Sequence, residues 1–578
     1  MSGYITRRVF NVWFCHKSKL SFLCMMTLFF HLPKLISTTC TWTNIKGNKS
    51  FVCQGEVLEN LEKLTYNEDE IVYGGLNHLY KIDLNLLQDE QIQWDSTLYD
   101  KEICQVKWGT QESDLCNNYI RIYDAISTDH YLICGTHCLR PLCRMYKKNS
   151  DRYEIVNEFS AEGLCKHRPL TDSTATVIDG KIFAGTHEEE IDVYPVIQSK
   201  HIKTTSVDEL QEAVFVGSFQ HDKFVYFFFR EANVELDTGR KVIYSKVARV
   251  CINDNGYKME DIEKWTSFFK SRLICVTSGN IPYFYDQIQA ISKIVNGDNE
   301  IFYGIFNSEA PLPISSAVCA FSMKDIQNVF DGDFKGTEGP VSPENIPKPR
   351  PGTCADYSSG VSEELKNFLI THTEMNNLVY SYLEDPVLIN QDFGCRYTSI
   401  FVDPQVRSLK DKLYDILYIG TECGTVKKAL STYEKGSNAP KIIETFQLLP
   451  DIETVKSVHI YKKKLLVQST NMIITVNTDR CEQHTCNCSE CIWLRDPYYA
   501  WNMNKSKCER IDHKTRNDVY LQDVENTGED ETCCHTSESN LLKTTTLIEI
   551  LISTCEYNVI NKQIFGVDQV SCLQKEAS

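Results

Sequence analysis

No stretch of this chain is long and apolar enough to span a membrane. The longest mainly apolar run, Leu20–Leu32, has 13 residues, against the roughly 20 that a spanning helix needs. Positive charge is scarce: 60 Lys and Arg face 78 Asp and Glu, for a net charge of −18 over 578 residues. Such a balance excludes nucleic-acid binding through a global field and speaks mainly to solubility. Catalytic signatures are missing as well. His187-Glu188-Glu189-Glu190 lacks the second histidine of a zinc-protease helix, and Asp331-Gly332-Asp333 offers too few oxygens for a calcium loop. There is no phosphate-cradling glycine loop and no Gly-x-Ser-x-Gly elbow. The expectation is a protein without catalytic residues, metal or cofactor.

Acidic residues are also missing from Met1–Thr39, where Arg7, Arg8, Lys17, Lys19 and Lys34 precede or flank the apolar run and Ser37, Thr38 and Thr39 close it. A basic lead, a short apolar core and small residues have the form of a secretory signal, with cleavage expected near Thr38–Thr39. Of the 25 cysteines, Cys15 and Cys24 fall in this leader, so 23 remain for an oxidising compartment. An odd number leaves at least one thiol free or shared between chains. Asn48-Lys-Ser50 and Asn504-Lys-Ser506 are candidate glycan acceptors. Asn487-Cys-Ser489 fits the same rule but sits among crowded cysteines.

What the chain does have is β-sheet pattern. Ile71–Leu84, Tyr131–Tyr146, Lys181–Val196, Asp415–Leu430 and Lys464–Asn477 each read as strand, small turn, strand. The turns carry Gly-Gly, Gly135-Thr136, Gly185-Thr186, Gly420-Thr421 and Ser469-Thr470, with glycine expected to supply positive φ in the hairpin. Recurrence at intervals of roughly 50 residues, across a span too long for one sandwich, points to radial blades, an all-β propeller. One segment breaks the rhythm. In Arg249–Gln289, Trp265, Phe268, Phe269 and Leu273 follow helical spacing, which predicts a helix-bearing insertion there.

Cys481–Cys508 packs five cysteines, two tryptophans and an Arg-Asp-Pro-Tyr turn into a segment too short for its own core. Cys488-x2-Cys491 is half of a zinc site, but a second close pair is absent and secretion favours disulfides.

Short motifs then occur in a fixed order. They are Cys116-Asn-Asn-Tyr-Ile-Arg121, Cys134-Gly-Thr136 to Pro141-x-Cys143, Phe215–Phe219, Phe227–Glu235, Val247–Gly256, Trp265–Cys275, Pro282–Gln289, Ser315–Met323 and Pro349–Cys354. From Cys40 to about Cys534 the chain resembles the semaphorins, most of all the secreted invertebrate type. Cys481–Cys508 resembles their PSI module. The resemblance implies a seven-bladed propeller over 40–480, a PSI module over 481–534, and the pairs Cys104–Cys116, Cys134–Cys143, Cys251–Cys354 and Cys275–Cys319. Within the module it implies Cys491–Cys508, and Cys488 with Cys533 or Cys534, of which Cys534 is taken as the partner. Cys138 is left as a buried spare or a partner for Cys165.

The chain departs from the family where Tyr499 replaces a cysteine, orphaning Cys481; Cys486 pairs with it in a rearranged knot, or one of them links two chains. Residues 535–578, with Cys555 and Cys572, read as a truncated immunoglobulin-like tail or a disordered one, without a basic heparan-binding end. The resemblance implies a secreted, diffusible guidance cue for plexin receptors, acting as a homodimer, with receptor contacts at the propeller edge within Lys181–Arg249. The alternative is a monomeric secreted decoy. A propeller sialidase would need an arginine triad and Asp-box repeats, which the sequence lacks.

Overall fold

The computed structural model describes residues 40–533 with short interruptions, among them 54–59, 189–193, 309–314, 433–441, 478–486, 512–518 and 526–532. The expected leader 1–39 and the tail 535–578, with Cys555 and Cys572, lie outside the described residues, as do Cys481, Cys486 and Cys534.

Seven sheets of four to six strands follow one another along the chain. Their innermost strands are Glu62–Tyr66, Ile120–Ala125, Thr174–Ile178, Val214–His221, Gln287–Ile291, Tyr397–Arg407 and Ser457–Tyr461. Each sheet is tied to the next. Arg121 of the second pairs with Glu62 of the first at 3.1 Å, and Ile122 and Cys134 of the second pack with Ile182 and Ala184 of the third. Thr174 and Thr176 of the third meet the Ser218 hydroxyl of the fourth at 2.8 Å. Arg230 of the fourth donates to the Ile288 carbonyl of the fifth at 3.0 Å, and the Tyr303 hydroxyl of the fifth to Asp415 of the sixth at 2.7 Å. Thr398 donates from the sixth towards the seventh, to Val455 O. The ring closes where Gln468 Nε2 of the seventh donates to Leu61 O beside the first, at 2.6 Å. This is a seven-bladed propeller. Its last blade is built from both halves of the chain: Ser457–Tyr461, Lys464–Gln468 and Ile473–Asn477 are completed by Asn48–Cys53 and Cys40–Ile45.

The second strand of a blade is buried on both faces by its neighbours, so it reads as a continuous apolar run. Val225–Phe229 and Ile416–Ile419 are almost wholly inaccessible. Outer strands lack one neighbour and stay open, as Arg152–Ser160 does.

The recurring glycine has a different role from the one its turn context suggests. Gly185 and Gly420 lie inside strands, in ordinary extended backbone, not in the turn. A Cβ on Gly185 would stand 2.5 Å from the Phe215 ring of the next blade, and one on Gly420 would stand 2.4 Å from Val455. Such contacts require displacement, so these glycines permit blade-to-blade approach.

The helix expected within Arg249–Gln289 is not there. That stretch forms the strands Tyr257–Met259, Ile262–Lys264 and Phe269–Ile274. Phe269–Ile274 is hydrogen-bonded on one side to Lys241–Cys251 and on the other to Val379–Tyr380. Burial on both faces breaks the period-2 signature and leaves a spacing that mimics a helix. The helix-bearing insertion leaves the fifth blade instead. After Ser316–Ser322 come the helices Met323–Asp331 and Glu363–Thr371. The chain then adds Val379–Tyr380 to the fourth blade and returns to the fifth as Leu388–Ile389.

Candidate functional site

Three places carry the motif residues: the junction of the first two blades, the fourth blade with the insertion, and the seat of the small module. At the first, Asn118 is fully buried. Its amide nitrogen donates to Trp94 O at 3.0 Å, its amide oxygen accepts from His137 N at 3.1 Å, and its backbone N–H donates to Asn77 Oδ1 at 3.1 Å. Thr136 Oγ1 accepts from Tyr119 N at 3.0 Å. Both motifs at this junction therefore satisfy buried backbone groups where two blades meet. The loop inside the second motif holds His137, Cys138 and Leu139 all at positive φ. Arg121, the last motif residue, reaches the central channel. There Glu62 accepts from Lys166 at 2.7 Å besides pairing with Arg121. Burial alone would raise the Glu62 carboxyl; Lys166 and Arg121 outweigh it and hold the group below its usual range.

Within Lys181–Arg249, the span expected to carry receptor contacts, the motif residues are core. Phe227–Phe229 are inaccessible, and Glu231 is buried between Lys270 at 2.8 Å and Lys246 at 3.3 Å. Glu374 of the insertion binds Lys246 as well, and Lys335 at 2.8 Å. This charged network locks the insertion to the fourth blade. Side chains presented to solvent in the same span include Tyr194, Lys200 and His201.

The small module comprises the helix Cys488–Trp493 and the sheet Tyr499–Asn502, Lys507–Arg510, Tyr520–Leu521. Its Arg-Asp-Pro-Tyr turn is the docking element. Arg495, at positive φ, donates to Val524 O and Glu525 O, each at 2.9 Å. Asp496 is buried against Lys428 of the sixth blade, and the Tyr498 hydroxyl meets Asp403. Tyr499, at the position where the resemblance implies a cysteine, is buried in an apolar cluster with Tyr418, Leu430 and Tyr498. Asn487 caps the helix, its side chain accepting from Glu490 N at 2.9 Å. Asn504 is exposed in the turn between two strands of the module, and Asn48 opens a strand of the seventh blade.

Among the described residues the structure forms Cys104–Cys116, Cys134–Cys143, Cys251–Cys354, Cys275–Cys319 and Cys491–Cys508. Cys488 pairs with Cys533 in place of Cys534. Cys533 is the one that packs, buried, with Cys488 and Ile492. Cys395–Cys423 was not anticipated; its residues belong to none of the ordered motifs. Cys138 and Cys165 are not joined to each other: both are free and buried, and Cys138 Sγ instead donates to Cys116 O at 3.0 Å. Among the described residues no cluster of His, Cys, Asp and Glu is arranged to hold a metal, and no helix is long and apolar enough to cross a membrane.

A seven-bladed propeller stapled to its own insertion and seating a disulfide-bonded module defines the semaphorin class of ectodomain. Comparison with known proteins agrees. A Sema domain family model matches residues 288–462. Semaphorin-1A of Schistocerca americana is 35% identical over 508 residues, covering 81% of this chain and 69% of that protein. Semaphorin-1A of Drosophila melanogaster is 31% identical, covering 79% of this chain and 54% of its own. The solved structure of Drosophila Semaphorin 1b, extracellular domains 1-2, matches with a TM-score of 0.76 at 33% identity, over 82% of this chain and 96% of that one. A structure of Drosophila Plexin A in complex with Semaphorin 1b matches equally well. The chain belongs to the semaphorin family. That membership makes it a signalling ligand by class and not an enzyme.

Proposed function

We propose that this protein is a secreted guidance ligand that binds a plexin ectodomain through its propeller edge, near the third and fourth blades, and works as a homodimer. The observation that carries the reading is the match, with a TM-score of 0.76, to a semaphorin solved in complex with Drosophila Plexin A. The seven disulfides among the described residues support an oxidising, extracellular compartment. In this reading 1–39 is a leader, 40–480 the propeller and 481–534 the PSI module. Asn48 and Asn504 carry glycans. A homodimer holds two receptors together and gains avidity through effective concentration. The direct test is surface-immobilised plexin ectodomain against the secreted protein. Absence of saturable binding to every plexin tried would sink the reading. Light scattering with and without reductant then separates an agonist dimer from a monomeric decoy.

A further inference from the structure

The lumen of the propeller runs against the charge of the molecule. The chain carries −18 overall, yet one cleft of the central channel, about 460 Å³, is lined by Lys63, Arg121, Lys166 and Lys293 against Glu62 and Asp124. Glu62 is already engaged by Arg121 and Lys166. That leaves Lys63 of the first blade and Lys293, which follows the innermost strand of the fifth. Both ammoniums sit over one ring, Tyr66, at 5.1 and 3.6 Å from its centroid. The two nitrogens are no farther apart than the sum of those distances.

Among the described residues their hydrogen-bond partners are backbone oxygens: Lys63 donates to Val458 O at 3.4 Å and Lys293 to Tyr66 O at 3.3 Å. Among the described residues no carboxylate pairs with either. Against the same ring lies His459, its centroid 4.5 Å away, nine-tenths buried, with no hydrogen-bond partner on Nδ1. Burial, Lys63 and Lys293 together hold this imidazole neutral down to about 3, and burial with Lys293 pulls Lys63 down to about 8. Two like charges brought together without a counter-charge are costly, and a bound anion would relieve them.

We propose that Lys63 and Lys293 form an oxyanion site inside the channel, taking sulfate or phosphate, either free or as the sulfate ester of a small acidic sugar. Lys293 is open to channel water and Lys63 half-buried, so an anion reaches both. Because the global field repels anions, affinity rests on these local groups and falls with salt.

The test is equilibrium dialysis of the intact secreted protein at fixed ionic strength set with chloride, using radiolabelled inorganic sulfate or phosphate in one arm and a trisulfated heparin disaccharide in the other. The expected result is one saturable equivalent in at least one arm, lost in Lys293→Gln and kept in Lys456→Gln, an exposed lysine of the wider channel. Binding in the inorganic arm makes the free anion sufficient; binding of the disaccharide alone makes the sugar part of the ligand. No saturable binding in either arm overturns the proposal, as does binding that survives Lys293→Gln. On the wild type alone, the bound probe should raise Tm by a few degrees over chloride; an unchanged Tm at saturating probe counts against the site.

Discussion

The Asp496 carboxylate, from the Arg-Asp-Pro-Tyr turn of the small module, is buried against the Lys428 ammonium of the sixth blade, with 7% and 2% of the two side chains exposed. Removing one partner leaves the other charge buried and unpaired, which costs about 3–5 kcal/mol. Asp496→Ala should destabilise by that amount in denaturant unfolding, whereas Asp496→Ala with Lys428→Met should recover a large part of it. Equal stability of the single and double variants would mean that the pair is not buried.

Acid should strip the insertion from the fourth blade. Burial alone would raise the Glu374 carboxyl, but Lys246 and Lys270, with hydrogen bonds from Lys246 and Lys335, hold it down to about 2. A depressed carboxylate contributes stability above its unfolded value, near 4.5, and that stability is lost as pH falls towards 2. Glu374→Gln should flatten the acid limb of the unfolding curve between those values. A parallel acid limb in variant and wild type would rule the network out as the acid-sensitive element.

The disulfides differ in the loops they close. Cys251–Cys354 spans 103 residues and Cys134–Cys143 only 9. In the chain-entropy account, replacing both members of the long-loop pair costs about 4.7 kcal/mol and of the short-loop pair about 2.5 kcal/mol. Urea midpoints of the two double-serine variants should rank in that order, and a reversed ranking would place the stabilisation in local packing.

Cys138 and Cys165 should behave as inert thiols. Burial pushes both up, Cys165 to about 12, so neither is a nucleophile at neutral pH. Peptide mapping after iodoacetamide should find them alkylated only in denaturant. Rapid labelling of Cys165 in the native protein would contradict its burial.

A methyl group at Gly185 meets the Phe215 ring. Gly185→Ala should therefore cost about 1–3 kcal/mol through overpacking, while Gly239→Ala, with nothing within 4 Å but a positive φ, should cost less. A neutral Gly185→Ala would show that the third and fourth blades can part cheaply.

How far the sequence revealed this architecture varies with the physics. The hairpins at Ile71–Leu84 and Lys464–Asn477 were legible because strand pattern and turn residues are local. The insertion was misplaced because Phe269, Leu273 and Ile274 are buried in a strand paired on one side with a segment distant in sequence. Val379–Tyr380 arrives over 100 residues later in the chain, and no window on Trp265–Cys275 contains it. Asp496–Lys428 was hidden for the same reason: a lysine within Thr425–Ser431 gives no sign that its partner lies 68 residues on, in the Arg-Asp-Pro-Tyr turn. The glycines were found in the right places but for the wrong reason, since close approach, unlike a turn, depends on the next blade. The channel lysines, drawn from the first and fifth blades, left no trace in either local sequence.

The seventh blade also sets a timetable. Gln468 and the Leu61 carbonyl that it grips are 407 residues apart, and Asn48–Cys53 pairs with Ile473–Asn477. At synthesis rates of about 5–20 residues per second, the early strands wait roughly 20–80 s for their mates. Through that interval they present unpaired edges, a template for the wrong neighbour. Six blades can be stacked as they emerge, but the ring is locked only at the end, so the last strands act as a latch on material already made. A nascent chain stalled before Ile473 is an open coil of blades, and the cell must shield it until the latch arrives.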